Sequence, residues 1–314
     1  MKKLVLSLAA VLFAVALWPL HALAAAYPDR PITVIVPYTP GGNVDMLARG
    51  IAPAIEEELG VKLIITPTPG AGGTVGTMKM IQSRPDGYTL LIGNQTTLSM
   101  KPFLQKTRFK LGGAPPICGI ALPIHILGTS DSKRFPSLEA FIAEARKNPE
   151  QVSVAILGRG GFHEVLAIEV MRELGIKLKM VPFNSGPEQV AALRGGHVDS
   201  IITDNYNTEI SILASFNNDY KDTYPDAKSF SELGYPNLGK LFNIYSFYAP
   251  LGTPQEVVDT FAAAVKKAIT SEQFLAVSKN LHIPAEYLTA EDLRKQIESD
   301  IAIMQDLKKS GLLD

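Results

Sequence analysis

The sequence predicts an α/β fold in two lobes, each a mostly parallel β-sheet flanked by helices. Short apolar segments typical of strands alternate with helical segments along nearly the whole chain, and this alternation favours parallel sheets. The two halves of the 314-residue chain also repeat one order of strand, glycine-containing turn and helix. A chain of this length exceeds the usual size of one hydrophobic core, so we expect two lobes with a ligand cleft between them.

Eight short apolar segments are predicted as strands. They are residues 32–37, 62–66, 89–93, 124–128, 152–156, 178–182, 200–204 and 242–249. Apolar residues at three- and four-residue spacing predict helices between them, and Gly60, Pro149 and Gly175 mark helix ends. The predicted helices are residues 44–59, 137–148, 162–174, 187–194, 253–269, 271–281 and 289–307. The last one begins at Thr289 with a sequence that resembles a capping box.

The first 26 residues are predicted to be a signal peptide. Lys2 and Lys3 provide a positive start, residues 4–17 are apolar, and small residues up to Ala26 offer cleavage sites. The apolar stretch is shorter than the roughly 20 residues that a bilayer span needs. We therefore expect export to the periplasm. Lobe 1 is predicted to comprise residues 27–122 and 245–314, and lobe 2 residues 123–244.

The composition excludes several classes of partner. The formal charge is −1 for the full chain and −3 once Lys2 and Lys3 are removed (−1 minus 2). No excess of positive charge therefore favours nucleic acid or an anionic membrane. Cys118 is the only cysteine, so no internal disulfide forms, and its apolar neighbours predict a buried, unreactive thiol. We expect a monomer.

The loop at residues 37–45 follows the first strand and opens a strongly periodic helix. Its glycine pair, Gly41-Gly42, lets the backbone approach a ligand closely. The free N–H groups of the first helical turn and the helix dipole favour an anion at this place. No acid, base or nucleophile with a partner stands beside the loop. The loop therefore predicts a protein that holds a small acidic molecule without transforming it.

A second glycine-rich loop, residues 67–76, is similar to a nucleotide-binding fingerprint, but its spacing fails. Val75 stands where the last glycine of the dinucleotide motif is needed, and no Lys-Ser or Lys-Thr follows. We therefore predict no nucleotide and no other cofactor. The loop either contacts the ligand or is a tight turn that packs a helix on its sheet.

A third loop, residues 158–164, again joins a strand to a helix. His163-Glu164 begins a metalloprotease-like pair, but Ala167 stands where the second histidine is needed, so no metal site is predicted. His163 is either a polar residue of the first helical turn or a ligand contact, and Arg159 either binds a carboxylate or is solvated. The chain lacks the Gly-x-Ser-x-Gly motif of a nucleophile elbow, and no catalytic residue is predicted.

The candidate ligand-binding residues lie where strands end in both halves of the chain. They are Tyr38, Thr39, Gly41, Gly42, Asn43, Gln95 and Thr96 in the first half, and Arg159, Gly160, Gly161, Phe162, His163, Asn184, Ser185 and Asp204 in the second. A micromolar affinity corresponds to about 8 kcal/mol, and a hydrogen bond to a charged group contributes roughly 1.5–3 kcal/mol. Four or five backbone N–H groups therefore reach this range without a buried arginine.

The chain resembles the periplasmic solute receptors of tripartite tricarboxylate transporters, the Bug-type receptors. The motifs that carry the resemblance are Tyr-Pro-Asp-Arg-Pro-Ile at 27–32, Val-Pro-Tyr at 36–38, Pro-Gly-Ala-Gly-Gly at 69–73, Pro-Asp-Gly-Tyr-Thr-Leu-Leu at 85–91 and Gly-Gly-His-Val-Asp at 195–199. The resemblance implies a "Venus flytrap" that captures a carboxylate-bearing solute and delivers it to membrane permease subunits. It also implies that backbone N–H groups, hydroxyls and waters from two opposing loops hold the carboxylates. Asp45 is then expected to fix its loop without touching the ligand.

The sequence departs from the family pattern near the expected cleft. Residues 66–68 are Thr-Pro-Thr where Glu-Asn-Arg is usual, and Asn184 occupies a place where lysine is common. A ligand other than a citrate-like or dicarboxylic acid therefore stays open. Two alternative functions also stay open: a sensory receptor for a signalling partner, and an exported enzyme acting on small organic acids. The enzyme would need a nucleophile–base pair, such as His163 beside Ser185 or Asp204.

Overall fold

The computed structural model describes residues 27–110, 113–205, 209–218, 221 and 223–313. It contains two β-sheets with flanking helices, which confirms the predicted two-lobed α/β fold. The predicted signal peptide lies outside the described residues. No helix in the described part of the chain is long and apolar enough to cross a membrane.

The strands are numbered in chain order. They are β1 (Ile32–Val36), β2 (Leu63–Pro67), β3 (Thr89–Asn94), β4 (Pro116–Ala121), β5 (Ile126–Thr129), β6 (Ser153–Leu157), β7 (Lys179–Phe183), β8 (Ser200–Thr203), β9 (Ser211–Ser215), β10 (Tyr245–Tyr248) and β11 (Ala285–Thr289). The first sheet has the order β11-β4-β10-β3-β1-β2, and the second has the order β7-β6-β8-β5-β9.

The helices are likewise numbered along the chain. They are α1 (Asn43–Leu59), α2 (Thr74–Ile81), α3 (Gln95–Ser99), α4 (Lys101–Leu104), α5 (Leu138–Lys147), α6 (Phe162–Leu174), α7 (Gly186–Arg194), α8 (Gln255–Ala268), α9 (Glu272–Leu281) and α10 (Ala290–Lys309). Short 3₁₀ turns lie at Ala71–Gly73 and Leu238–Lys240. The predicted capping box at the start of α10 is present, since Thr289 and Asp292 each accept the other's backbone N–H.

The two sheets share one strand arrangement, to which the first sheet adds the edge strand β11. Two of the five strand pairs in the first sheet and two of the four in the second are parallel, so the sheets are mixed and not mostly parallel as predicted. In the first sheet β2, β1 and β3 are parallel, and β10 inserts antiparallel between β3 and β4. In the second sheet β7, β6 and β8 are parallel, and β5 inserts antiparallel between β8 and β9. Each inserted strand is the first one after the chain crosses from the other sheet. The loops after β1 and β6 are therefore equivalent, as are the loops after β3 and β8.

Three strands were not predicted: β4, β9 and β11. β4 begins with Pro116 and contains Gly119, and both residue types have low strand propensity. It forms because β10 and β11 pair with its two edges. The predicted strand 242–249 is shorter, Tyr245–Tyr248, because the preceding residues form the crossing between the sheets. Cys118 lies in β4 and is buried, so the predicted burial is confirmed, and burial raises the pKa of its thiol.

The C-terminal helix α10 packs against both sheets. Its residues Met304 and Leu307 belong to the apolar cluster that contains Val154 and Ile156 of the second sheet. The strands of the first sheet come from residues 32–121 and 245–289, and those of the second from residues 126–215. The residue-level lobe boundaries stay a prediction, and the last turns of α10 contact the lobe to which they were not assigned.

A buried polar network ties α10 to the crossing segment between β9 and β10. The carboxylate of Asp300 is 1% exposed and accepts hydrogen bonds from Ser99 Oγ at 2.6 Å and Gln296 Nε2 at 2.9 Å. Four residues before Ser99, the Gln95 amide donates to the Phe242 carbonyl at 2.9 Å. The side-chain oxygen of Gln95 accepts the backbone N–H of Ile244, in the same crossing segment, at 2.6 Å. The short helix α3 therefore joins α10 to the crossing segment.

We expect Asp300→Asn to remove a pH dependence of stability. Burial raises the pKa of Asp300 to about 7, although hydrogen bonds from Ser99 and Gln296 act in the opposite direction. The native state then keeps a proton that the unfolded chain has lost, so the free energy of unfolding falls as pH rises from about 4 to about 7. The full effect is on the order of 4 kcal/mol. Urea unfolding at several pH values should show that the free energy of unfolding of the variant rises relative to that of the parent across this window.

The control is Glu298→Gln, which removes an exposed acid from the same helix. Its free energy of unfolding should show the same fall between pH 4 and 7 as that of the parent, because Asp300 is retained. The account of Asp300 is wrong if the Asp300→Asn variant also runs parallel to the parent between pH 4 and 7.

Candidate functional site

The start of α1 has backbone N–H groups without acceptors. Gly42 is its N-cap, and a glycine has no side chain to accept a hydrogen bond from the helix. The preceding Gly41 adopts φ +78° and donates its N–H to the Asp45 carboxylate at 2.9 Å, which confirms that Asp45 fixes the loop. The backbone N–H groups of Asn43, Val44 and Asp45 have no acceptor among the described residues. They are therefore free for a ligand.

The start of α6 repeats this arrangement in the second lobe. Gly161 is the N-cap and provides no side-chain acceptor. Gly160 adopts φ +68° and donates its N–H to the Glu164 carboxylate at 2.6 Å. The backbone N–H groups of Phe162 and His163 have no acceptor in the described part of the chain. This helix start also offers free donors.

One sequence pattern produces both helix starts. Residues 41–45 are Gly-Gly-Asn-Val-Asp and residues 160–164 are Gly-Gly-Phe-His-Glu. In each, the first glycine takes a left-handed conformation, the second leaves the helix uncapped, and the acid holds the first glycine's amide. The two segments follow β1 and β6, which occupy equivalent places in the two sheets. The repeated Gly-Gly-x-x-acid pattern is a signal that identifies both loops from sequence.

The start of α7 differs because its own side chains satisfy its N–H groups. Ser185 accepts the Glu188 backbone N–H at 3.4 Å, and the Glu188 carboxylate accepts the Asn184 backbone N–H at 3.2 Å. Asn184 is exposed. The Ser185 side chain and the Asn184 backbone thus stabilise the start of α7, and ligand contacts by these two residues stay predictions.

Asp204 and Tyr245 form a contact between the lobes. The Tyr245 hydroxyl, at the start of β10 in the first sheet, donates to the Asp204 carboxylate, just after β8 in the second sheet. The Asn43 side chain lies near the Tyr245 hydroxyl and lowers its pKa, against the larger effects of burial and Asp204. This chain of contacts brings the start of α1 to Asp204.

Two buried histidines lie beside Asp204. One ligand-capable atom from each of His125, His163 and Asp204 lies within 4.8 Å of the others. The rings of His125 and His163 meet edge to face with centroids 5.2 Å apart, and Phe162 packs on His125 at 4.9 Å. The start of α6 therefore also reaches Asp204. Sequence spacing could not show this group, because the three residues come from separate loops.

The hydrogen bonds of the histidines define opposite tautomers. His125 Nδ1 lies 3.2 Å from the Pro123 carbonyl, so Nδ1 carries the proton and Nε2 is an acceptor. His163 Nδ1 accepts the Leu157 backbone N–H at 3.3 Å, so its Nε2 carries the proton and is a donor. Burial lowers the pKa of His163 to about 3, an effect that His125 adds to and Asp204 opposes. Burial likewise lowers the pKa of His125.

Asp204 keeps its charge in this setting. Burial raises the pKa of Asp204, but His125, His163 and the Tyr245 hydroxyl outweigh it, so the pKa lies below its ordinary value. Burial and the nearby Asp204 raise the pKa of Tyr245, so its hydroxyl keeps its proton and donates. With both imidazoles neutral, the hydrogen bond from the protonated Tyr245 hydroxyl is the contact that stabilises the Asp204 carboxylate.

The group does not fit a metal ion. A metal-bound histidine presents a bare nitrogen to the metal and donates the N–H of its other nitrogen to an acceptor. His125 fits this rule through the Pro123 carbonyl. His163 does not, because its Nδ1 faces the Leu157 N–H and the proton must sit on Nε2.

The wall of lobe 1 beside this group contains Tyr38, Thr97 and Asn94. The Tyr38 hydroxyl lies 3.3 Å from Thr97 Oγ1, and the Asn94 backbone is close enough to lower the pKa of Tyr38 against the larger effect of burial. A Cβ on Gly73 would come within 3.3 Å of the Tyr38 ring, so the ring packs on this glycine. The Asn94 side-chain oxygen is buried and has no hydrogen-bond partner among the described residues.

The loop at residues 67–76 packs against the loop after β1, and a ligand contact by it stays a prediction. A Cβ on Gly76 would come within 2.8 Å of Pro37, so the glycine lets α2 approach the loop after β1. Lys101 is 1% exposed and donates to the carbonyls of Ala71 and Gly72 at 2.7 Å each. Burial lowers the pKa of Lys101 to about 8, although the Glu164 charge opposes this shift. The sequence offered no pattern that identifies this buried lysine.

The remaining predicted residues occupy varied places. Both ends of the Gln95 amide bond the crossing segment, so this side chain positions the backbone. Thr96 is buried in α3, and Thr39 is exposed with its carbonyl accepting the Gly42 N–H at 3.3 Å. The Arg159 side chain is 64% exposed and lies 3.5 Å from Glu164. Ligand contacts by these residues stay predictions.

Comparison with known proteins identifies relatives over nearly the whole chain. Residues 47–311 match the model of the family described as tripartite tricarboxylate transporter family receptor. The chain is also similar to a UPF0065 protein of Bordetella pertussis, with 30% identity over 292 residues that cover 89% of each protein.

Solved structures share the fold. The structure of the periplasmic binding protein BugD has a TM-score of 0.78 and 25% identity, and the match covers 91% of this chain and 99% of BugD. MatC from Rhodopseudomonas palustris with bound malate has a TM-score of 0.76 and 22% identity, with 88% of this chain and all of MatC covered (100%).

We expect both buried histidines to stay neutral from pH 5 to pH 8, in opposite tautomers. Burial holds the pKa of each below its ordinary value, and the Pro123 carbonyl and the Leu157 N–H select the protonated nitrogens. Long-range ¹H–¹⁵N NMR spectra should show Nδ1–H for His125 and Nε2–H for His163, with His197 as an exposed reference. A His163 signal that titrates near pH 6.5 would contradict this assignment.

Proposed function

Since the chain belongs to the receptor family of the tripartite tricarboxylate transporters, we propose that it captures a small carboxylate-bearing solute and delivers it to the permease of such a transporter. Members of this family are periplasmic substrate-binding receptors. The proposal includes export of this chain by the signal peptide of residues 1–26. The observation that carries it is the pair of uncapped helix starts at α1 and α6, one in each lobe.

The free N–H groups are sufficient to bind a carboxylate. Five of them lie at the two helix starts, on Asn43, Val44, Asp45, Phe162 and His163. A hydrogen bond to a charged group contributes roughly 1.5–3 kcal/mol, so three or four of them approach the about 8 kcal/mol of a micromolar complex. The positive ends of the two helix dipoles act in the same direction.

A ligand that contacts both helix starts favours the closed arrangement of the lobes. In this structure the lobes already touch, because Tyr245 bonds Asp204 and because a Cβ on Gly160 would come within 2.8 Å of Gln105 Oε1. A solute held by α1 and α6 adds bonds that exist only when the lobes are closed, so it shifts the population toward that state. The closed state is then the form that the permease recognises.

The same geometry supports binding without chemistry. His163 lies beside Asp204, as the enzyme alternative required. However, Nδ1, the unprotonated ring nitrogen of His163, already accepts the Leu157 N–H, and burial lowers the pKa of His163 to about 3. A general base works best with a pKa near the operating pH, so His163 is poorly suited to this role.

We expect Asn43→Pro to weaken carboxylate binding by about tenfold or more relative to Asn43→Ala. Proline at the first helical position leaves the helix intact but removes one N–H group that points at the ligand. Gly42 before it has φ −76° and ψ 166°, an extended conformation that a following proline accepts. The alanine variant loses the same side chain but keeps the N–H, so the difference between the two isolates the amide.

The measurement is isothermal titration calorimetry with a panel of mono-, di- and tricarboxylates and amino acids, including malate and adipate. Equal affinities of the two variants for the best ligand would argue that the α1 amide does not contact it. If no member of the panel gives heat at millimolar concentration with the parent protein, the proposed function fails.

A further inference from the structure

We propose that the solute carries an ammonium group next to its carboxylate and that Asp204 binds this ammonium, an inference that rests on the proposed function. The ligand class is then an amino acid or a similar amino-carboxylate. The carboxylate would occupy the amide-lined helix starts, and the ammonium the carboxylate of Asp204.

The first argument is charge. The Asp204 carboxylate accepts a hydrogen bond from the Tyr245 hydroxyl, whereas the hydrogen bonds of His125 and His163 fit neutral imidazoles. The cations near the cleft are already engaged, since Lys101 bonds two carbonyls beside the Glu164 charge and Arg159 pairs with Glu164. A solute with carboxylates alone would place a second negative charge beside the half-buried carboxylate of Asp204. A cationic group on the solute removes this repulsion.

The second argument is an excess of acceptors. Among the described residues, the Asp204 carboxylate accepts one side-chain hydrogen bond, from Tyr245. The Nε2 atom of His125 is an acceptor because its Nδ1 donates to the Pro123 carbonyl. The buried side-chain oxygen of Asn94, opposite Tyr245 in the sheet, has no partner within the described ranges. An ammonium group has three donors and suits such surroundings.

The third argument is spacing. His163 belongs to both parts of the site, because its backbone N–H is free while its ring lies beside Asp204. Asn43 does the same from the other lobe, because its backbone N–H is free and its side chain lies near the Tyr245 hydroxyl that bonds Asp204. The donor region and Asp204 are thus separated by about one side chain. In an α-amino acid the carboxylate and the ammonium are likewise adjacent.

Matched pairs of ligands test the proposal by isothermal titration calorimetry in the presence of EDTA. Suitable pairs are succinate and aspartate, glutarate and glutamate, and 3-phenylpropionate and phenylalanine. In the pair that binds best, the amino member should bind at least about tenfold more tightly, equivalent to about 1.4 kcal/mol. Equal or tighter binding of the partners without the amino group overturns the ammonium inference but leaves the proposed function in place. No binding of any member overturns both.

Asp204→Asn tests the residue. It removes the charge but keeps an oxygen that can accept the Tyr245 hydroxyl. Affinity for the amino member should fall at least about tenfold, and affinity for its partner should be unchanged or rise. Glu139→Gln, an exposed acid of α5 in the same lobe, is the matched control and should leave both affinities unchanged. An amino preference that survives in Asp204→Asn overturns the assignment.

Two further measurements keep the test decisive. Circular dichroism and thermal unfolding establish that Asp204→Asn is folded, and if it is not, the matched pairs with the parent protein decide. The titrations are also repeated with Zn²⁺ in place of EDTA. If Zn²⁺ raises the affinity for acids without an amino group about tenfold, the cation at Asp204 is a metal ion and the proposal is wrong.

Discussion

The fold holds backbone N–H groups open at the starts of α1 and α6. A serine or aspartate at the N-cap would satisfy these groups within the protein, as Ser185 does at α7. Glycine leaves them free at a cost of only a few tenths of a kcal/mol. The acid that follows, Asp45 or Glu164, bonds the amide before the N-cap and so fixes the loop without closing the site. The binding function depends on this division of labour.

The topology places these two helix starts opposite each other. In each sheet, the strand that follows the crossing between the lobes, β10 or β5, lies antiparallel to the third parallel strand, β3 or β8. The residues at its start therefore lie beside the loop that follows β3 or β8. Tyr245 and His125 occupy these corresponding places, and both lie close to Asp204. The crossing strands therefore connect the lobes and also supply part of the cleft.

Much of the fold could be predicted from sequence, since alternation of strands and helices is a local property. The uncapped loops were also visible, because glycine pairs and a following acid are adjacent in the chain. The role of Ser185 could have been found too, since Ser-Gly-Pro-Glu at 185–188 has the form of a capping box. His125, Tyr245 and Lys101 could not, because their contacts depend on strand register and on loops far away in the chain.

The most direct measurement is a ¹H–¹⁵N NMR titration of the backbone amides with the best ligand from the calorimetric panel. Binding through the helix starts predicts that the largest shifts, downfield in ¹H, occur at the amides of Asn43, Val44, Phe162 and His163. The shifts in the two lobes should follow the same saturation curve. Saturable binding that leaves these amides unshifted and perturbs the start of α7 instead would contradict the central claim.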